Sequence, residues 1–325
     1  MKAVIVTEFG GPDRLQLIET ADPRPEPGQC VVEVEACDVL FLDTMLRRGL
    51  GPDAMRPKLP WIPGNGVAGR VVSVGRGVPI EWVGRVVGAH TGGQGAYAQF
   101  VAVAMTDAVP IPDGVDVLAG AALLHDAPTA LKLVEVTGIS CDDAVLVLGA
   151  SGGLGLMLVQ LARARAARVI AVARDAKKRE RIATFGPDAV IDPDDPEWVR
   201  SADEALRPGG ATVILDNVGD PLGPQAFALL AEKGRFSAHA THGGEFTILD
   251  PAQVRARRAT VTGIEQVQLP GDELARLTGQ SFVAAANGQL KPVIGQTFPL
   301  QQVAEAHCAI ESRRVFGKTL LTTAP

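Results

Sequence analysis

The sequence predicts an α/β protein in which a doubly wound parallel sheet is inserted into a β-rich, barrel-like domain built from both chain ends. Three observations carry this expectation. An apolar run, Ala144-Val-Leu-Val-Leu148, ends in the glycine cluster Gly149-Ala-Ser-Gly-Gly-Leu-Gly155 and passes directly into a helical pattern marked by Leu158, Leu161 and Ala162. Candidate strands at 144–149, 168–173, 189–191, 211–215, 234–238 and 259–264 alternate with helices, and six is the number that a complete doubly wound nucleotide fold needs. On either side the pattern differs, with short Val-rich runs before about residue 115 and mixed helix and strand beyond Gln266.

Taken in order, Met1-Lys-Ala-Val-Ile-Val6 meets Glu8 and Gly10 within a few residues, so it reads as a first strand and not as a signal peptide. Pro23, Pro25 and Pro27 punctuate the first loop. The runs Val31 to Val34, Ala68 to Val74, Val83 to Val87 and Tyr97 to Val103 follow, separated by Gly and Pro turns. Helical periodicity begins at Val117. The glycine cluster then serves two needs: the strand must turn sharply into the helix, and the backbone must approach a diphosphate closely enough for helix N-terminal N–H groups to bind it. A second apolar strand, Arg168-Val-Ile-Ala-Val-Ala173, lies one crossover helix further on. Together these make a dinucleotide-binding βαβ unit. A membrane span over the uncharged stretch from Ala144 to Ala162 is excluded, because four glycines and a serine interrupt it and a bilayer helix needs ~20 apolar residues. The chain closes with a helix (Leu274 to Ala286), a strand (Pro292 to Phe298), a helix (Leu300 to Ser312) and a last strand (Gly317 to Thr322). The expected division is therefore 1–116 with 266–325 for the barrel-like domain, and 117–265 for the nucleotide-binding domain.

Composition narrows the function classes. The 325 residues are 46% hydrophobic and 21% charged, with a mean hydropathy of +0.16, as in globular proteins. A net charge of −6 argues against a nucleic-acid or anionic-membrane surface. Cys30, Cys37, Cys141 and Cys308 are scattered without a CxxC pair, which fits reduced thiols and a cytoplasmic protein better than a disulfide framework.

The order and spacing of further motifs resemble the medium-chain dehydrogenase/reductase superfamily, specifically its zinc-free quinone oxidoreductase (zeta-crystallin-like) branch. The motifs are Ile62-Pro-Gly-Asn-Gly-Val-Ala-Gly69, Gly95-Ala-Tyr-Ala98, Ala150-Ser-Gly-Gly-Leu-Gly155, Asp216-Asn-Val-Gly219, Gly288-Gln-Leu-Lys-Pro-Val-Ile294, Ala306-His307 and Gly317-Lys318. The resemblance implies a GroES-like β-barrel domain, a Rossmann domain with a six-stranded parallel sheet, a cofactor cleft between them and a homodimer. The zinc-dependent relatives place a Cys in the first barrel loop and a His-Glu pair in the next. The matching positions here are Leu40, Asn65 and Gly66, none of them a competent ligand. No metal is expected, and the nearby Cys37 reads as a buried thiol.

The cofactor expectation is NADP. The second strand of the βαβ unit ends Val172-Ala173-Arg174-Asp175, so Ala173 stands where an NAD-preferring protein carries a ribose-binding acid. Arg174 and Lys178 supply cations suited to a 2′-phosphate. Asp175 as a ribose acid remains the opposing reading, and Pro193 replaces another phosphate contact of the family. By resemblance, Ser151, Gly152, Gly153 and Leu154 face the diphosphate, and Thr129 lies near the nicotinamide. Asn217 takes the ribose side, His239, Ala240, Gly263 and Ile264 act mainly through backbone groups, and Arg313 reaches the cofactor late in the chain.

At the reacting carbon, many relatives use an Asn and a Tyr from the first barrel loop. Leu40 and Met45 occupy those positions here, and with Phe41 they make that loop apolar. If they line the pocket, the substrate is hydrophobic, a quinone or enone. His125-Asp126 is the polar insertion in an otherwise small and apolar stretch, Ala119 to Leu124. Two readings stand side by side: His125 donating a proton or hydrogen bond to an enolate or hydroquinone oxygen with Asp126 orienting it, or a capping Asp with a solvent-facing His. His90, His239, His242 and His307 have weaker cases, and Tyr97 reads as packing. The expected activity is NADPH-dependent reduction of a quinone or α,β-unsaturated carbonyl compound. The rivals are a carbonyl or alcohol dehydrogenase and a non-catalytic NADPH-binding redox sensor.

Overall fold

Valine-rich alternation and glycine or proline breaks divide the first third of the chain into strands, seen here in a computed structural model that describes residues 1–51, 55–165, 167–241 and 245–323. They are β1 (Lys2–Ile5), β2 (Gln16–Glu19), β3 (Gln29–Val39), β4 (Gly66–Val74), β5 (Val86–His90), β6 (Phe100–Ala104) and β7 (Ala108–Pro110), with α1 (Phe41–Arg47) after β3 and α2 (Val117–Leu123) after β7. Next come α3 (Asp126–Thr137), β8 (Ala144–Leu148), α4 (Gly153–Ala164), β9 (Arg168–Val172), α5 (Ala176–Ala183) and β10 (Ala189–Ile191). The alternation continues through α6 (Trp198–Leu206), β11 (Ala211–Asp216), α7 (Leu222–Phe227), β12 (Leu230–Ala238), α8 (Pro251–Ala256) and β13 (Thr260–Gly263). Finally α9 (Gly271–Ala286), β14 (Ile294–Pro299), α10 (Val303–Glu311) and β15 (Lys318–Thr322) complete the chain.

The chain divides into two compact units, Met1–Pro128 with Pro270–Pro325 and Thr129–Leu269. The division falls inside α3 and not at 116/117, because α2 belongs to the first unit. Ala121 and Ala122 of α2 pack on Ala36, Ala68 and Leu320 of its sheet. In that unit β14, β15, β3, β4, β5 and β7 are neighbours in that order, with β6 added to β3. The long strand β3 anchors it. Glu33 and Glu35 alternate outward, and Cys30, Val32 and Val34 fill the barrel core. A register shift between Val34 and Ala36 then turns Ala36 toward α2 while Cys37 and Val39 continue the barrel core. By alternation Asp38 shares the α2-facing side with Ala36, opposite Leu320 in register.

The second unit is a six-stranded sheet in the order β10-β9-β8-β11-β12-β13, with every pairing parallel. Val145 to Leu148 and Val169 to Val172 are wholly buried, which explains their unbroken apolar character, since helices cover both faces of such a sheet. Reading the strands by their order in the chain, the sequence reverses between β8 and β11, and ligands bind at the carboxyl ends of the strands at such a point.

Candidate functional site

The glycine turn after β8 gives each of three glycines a distinct task. Gly149 has φ +65°, a left-handed conformation that L side chains adopt with strain, and it makes the tight exit from the strand. Gly155 has no room for a side chain: a Cβ there would lie 2.4 Å from the Gly149 carbonyl oxygen and 2.8 Å from Ala150 Cα. Its absence lets α4 pack directly on the strand end. Gly152 is the opposite case, with only the Gly149 oxygen near its Cβ position at 3.7 Å. It is the N-cap of α4, and no side chain caps it. Ser151, Gly152, Gly153 and Leu154 are half-exposed here, so the first N–H groups of α4 are open to an anion. The residues therefore fit a coenzyme diphosphate.

The ends of the neighbouring strands are braced by a polar lattice. Asp216 Oδ1 accepts from the N–H groups of Val218 and Gly219, both at 2.9 Å. Asn217 Nδ2 donates to the Leu148 carbonyl at 2.7 Å, so its Oδ1 faces His239 Nε2 at 2.8 Å and accepts that proton. His239 Nδ1 is then the acceptor for the Ser237 hydroxyl at 3.1 Å. Burial pushes the His239 pKa down to about 4, which keeps this tautomer neutral. The imidazole holds Asn217, and both its nitrogens are engaged. Ala240 follows it half-exposed. At the end of β13 the Gly263 N–H donates to Gln266 Oε1 at 2.7 Å, and Ile264 is 37% exposed. Thr129 is half-buried near the start of α3.

At the end of β9, Asp175 adopts φ +67° and caps α5, its carboxylate accepting the Lys178 N–H at 3.0 Å. β9 has already ended at Val172, so Asp175 serves as a helix cap. Arg174 Nε donates to Asp194 at 2.8 Å, both side chains being more than half exposed. Arg179 pairs with Asp192 at 2.5 Å. Lys178 is partly buried, and that burial lowers its pKa.

The first unit holds the polar groups suited to chemistry. α2 ends at Leu123 and α3 begins at Asp126, so His125 stands at the break between them, half-buried. Asp126 is 7% exposed and lies 3.3 Å from Lys318 Nζ, so its carboxylate is held in a buried ion pair. Lys318 Nζ also lies 3.2 Å from Asp38. Burial, and then the Lys318 charge, lower the pKa of His125.

Leu40 is buried, and Phe41 and Met45 are half-buried on α1. Beneath them runs a chain of donors: Arg47 to His307 Nδ1 at 3.4 Å, His307 Nε2 to the Tyr97 oxygen at 3.2 Å, and Tyr97 to Asp43 at 2.9 Å. Asp43 also accepts the Leu40 N–H at 2.8 Å, the partner it needs to cap α1. Burial raises the Asp43 pKa to about 7, whereas burial and then Arg47 hold His307 down to about 3. Tyr97 is thus more than packing. His90 bonds Thr278 at 3.1 Å and burial depresses it to about 4. Arg313 is exposed with φ +56° just past α10. His242 lies outside the described residues. At the positions matched to zinc ligands, Leu40 is apolar, Asn65 accepts the Gly93 N–H, and a Cβ on Gly66 would lie 2.9 Å from Asp38 Oδ1. Cys37 is wholly buried, which pushes its thiol pKa well up. Among the described residues, no group of three or more His, Cys, Asp or Glu side chains gathers to hold a metal.

Residues 26–113 match the alcohol dehydrogenase GroES-like domain, and residues 153–276 match the family described as zinc-binding dehydrogenase. A rat quinone oxidoreductase is 30% identical over 324 residues, covering 99% of this chain and 97% of the relative. The chain belongs to the medium-chain dehydrogenase/reductase superfamily. As a member of that superfamily it also resembles solved structures over its whole length. A mycobacterial protein complexed with NADPH is 29% identical with a TM-score of 0.90, covering 99% of this chain and 100% of that one. The Escherichia coli quinone oxidoreductase complexed with NADPH is 26% identical with a TM-score of 0.91, again covering 99% and 100%. Among the described residues no single helix is long and apolar enough to cross a membrane.

Sequence reasoning passed over three buried charges: Asp38, Asp43 and the pairing role of Lys318. The available signal was a lone charge in an apolar strand, Ala36-Cys-Asp-Val39 and Gly317-Lys-Thr-Leu-Leu321. Such a residue needs a partner, but only the strand pairing shows which one.

Proposed function

We propose that this member of the superfamily is an NADPH-dependent, zinc-independent oxidoreductase that reduces a quinone or an α,β-unsaturated carbonyl compound by hydride transfer. The observation that carries this reading is the division of labour among Gly149, Gly152 and Gly155 where the strand order reverses. The NADPH held by two structural relatives and the activity named for the rat relative support it. Ser151, Gly152, Gly153 and Leu154 hold the diphosphate. Arg174 and Lys178 take the 2′-phosphate, and Asp175 is occupied as a helix cap. Thr129, Asn217, His239, Ala240, Gly263, Ile264 and Arg313 complete the coenzyme contacts. When bound, the reduced coenzyme supplies the hydride.

The protein's own part is to position the acceptor and to stabilise the oxygen on which charge develops. His125 does the latter. Its lowered pKa keeps the imidazole neutral at pH 7, able to donate an N–H hydrogen bond to the enolate or hydroquinone oxygen while solvent supplies the proton that this oxygen takes up. Asp126 orients it through the backbone they share. Leu40, Phe41 and Met45 favour a hydrophobic acceptor. The protein is cytoplasmic and works as a homodimer: β13 is an open sheet edge with Val261 41% exposed, a surface on which a second copy extends the sheet.

The test follows coenzyme absorbance with a panel of quinones and enones, before and after dialysis against a chelator. Oxidation of NADPH by these acceptors, unchanged by the chelator, is expected. Reversible oxidation of simple alcohols with no enone activity would establish an alcohol dehydrogenase instead. Tight NADPH binding without hydride transfer to any acceptor would indicate a redox sensor.

A further inference from the structure

Three segments remote in sequence deliver charge to one interior point of the first unit. Lys318 opens β15, Asp38 lies near the end of β3, and Asp126 begins α3. Lys318 Nζ stands 3.2 Å from Asp38 and 3.3 Å from Asp126, and the three side chains are only 6%, 0% and 11% exposed. Strand register dictates the meeting. Asp38 faces Leu320 across the β3–β15 pairing, and Lys318, two residues earlier, lies on the same face, the one covered by α2. Gly66 supplies the space, since a side chain there would collide with Asp38 Oδ1 at 2.9 Å and with Leu124 at 3.1 Å.

The arrangement is poor as a stabilising device. Two carboxylates share one ammonium, and neither Asp38 oxygen makes a hydrogen bond of good geometry, the ion pair to Lys318 notwithstanding. Apolar side chains of similar volume usually hold a fold as well or better than a buried ion cluster. What the cluster does accomplish is to tie the first turn of α3 to the sheet, directly after His125. Four charged or titratable groups act on that imidazole: Asp126 from α3, Lys318 from β15, Asp38 from β3 and His90 from β5.

We infer that the buried Asp38–Lys318–Asp126 cluster positions His125, with Lys318 clamping the start of α3 to β15 and β3 and balancing the two carboxylates in the field at the imidazole. The inference rests on the reading of His125 as the oxyanion-stabilising group. Lys318 is a positioning residue that acts through His125.

The experiment titrates the His125 imidazole by proton–carbon correlation NMR on the full chain, assigned by loss of its signal in His125→Gln. Lys318→Met removes the cation and leaves two carboxylates, so the midpoint is expected to rise by ~1 pH unit or more. Asp38→Asn keeps the Lys318–Asp126 pair and removes one carboxylate, so the midpoint is expected to fall. Lys318→Arg restores the wild-type value. The acid limb of the kcat profile with NADPH and a quinone is expected to move with each midpoint, while KM for NADPH stays constant. Unshifted midpoints in both Lys318→Met and Asp38→Asn would overturn the inference, and so would movement of both in one direction. If Lys318→Met does not fold, the sign of the Asp38→Asn shift decides alone. Opposed midpoint shifts with a turnover indifferent to His125 would sustain the cluster's action on the imidazole and reject the catalytic reading.

Discussion

Asp43 offers the sharpest quantitative test of the buried network beneath the Leu40 loop. Its carboxyl titrates at about 7 in the fold against 3.8 for an ordinary aspartate, burial being the main cause. Between those values the folded chain holds a proton that the unfolded chain has released. Stability from this group is therefore complete below pH 3.8, declines through the interval and is lost above about pH 7. At ~1.4 kcal/mol per pH unit the whole interval is worth about 4 kcal/mol, of which roughly 2.5 kcal/mol falls between pH 5 and 7. Asp43→Asn removes the titration and keeps the shape, because a single oxygen, Oδ2, accepts from both Leu40 N and Tyr97 and an amide oxygen can replace it. Urea unfolding of the two proteins in parallel, from pH 5 to 8, isolates the Asp43 contribution as a difference. The wild type is expected to lose about 2.5 kcal/mol relative to Asp43→Asn by pH 7, about 1 M in midpoint for an ordinary denaturant slope, and then to level off. A difference that is flat across the range, or that grows in favour of the wild type with rising pH, would refute the reasoning. It would show that Tyr97, the Leu40 N–H and Lys318 outweigh burial and keep Asp43 ionised.

Other expectations follow from the same geometry. Gly155→Ala places a methyl 2.4 Å from the Gly149 carbonyl oxygen, so the start of α4 must shift. A loss of ~1–3 kcal/mol in stability is expected, with weakened NADPH binding by calorimetry. Arg174→Ala combined with Lys178→Ala is expected to raise the Kd for NADPH about tenfold or more and to leave NADH nearly unchanged. Equal weakening of both coenzymes would remove these residues from phosphate recognition. His239→Ala deprives the buried Asn217 oxygen of its 2.8 Å donor and is expected to cost ~1–3 kcal/mol, measured by thermal unfolding. Finally, His125→Ala is expected to lower kcat ~10²-fold with little change in NADPH affinity, and an unchanged kcat would return His125 to a structural role.

The amino-acid sequence by itself determined the parallel sheet and its coenzyme turn. Each rests on local patterning: the continuous apolar runs 145–148 and 169–172 suit strands buried on both faces, and Gly149 and Gly155 are set by the backbone around them. The six strands consequently lie within a few residues of where periodicity placed them. The domain division was less legible, because α2 has the small apolar residues of either neighbour, and only its packing on Ala36, Ala68 and Leu320 assigns it to the first unit. Asp175 was legible as an acid after a strand but not as a cap, since that depends on β9 ending at Val172.

Tertiary structure alone decided the charge partnerships. Asp38, Asp126 and Lys318 come from distant stretches of chain and meet because the β3–β15 register sets Leu320 opposite Asp38. Arg47, His307 and Tyr97 are linked in the same way into a chain that ends on Asp43. Local propensity is summed over neighbours in the chain and can be read one residue at a time. A buried charge is stabilised by whichever group the fold carries to within a few ångströms, and that distance exists only once the strands have paired.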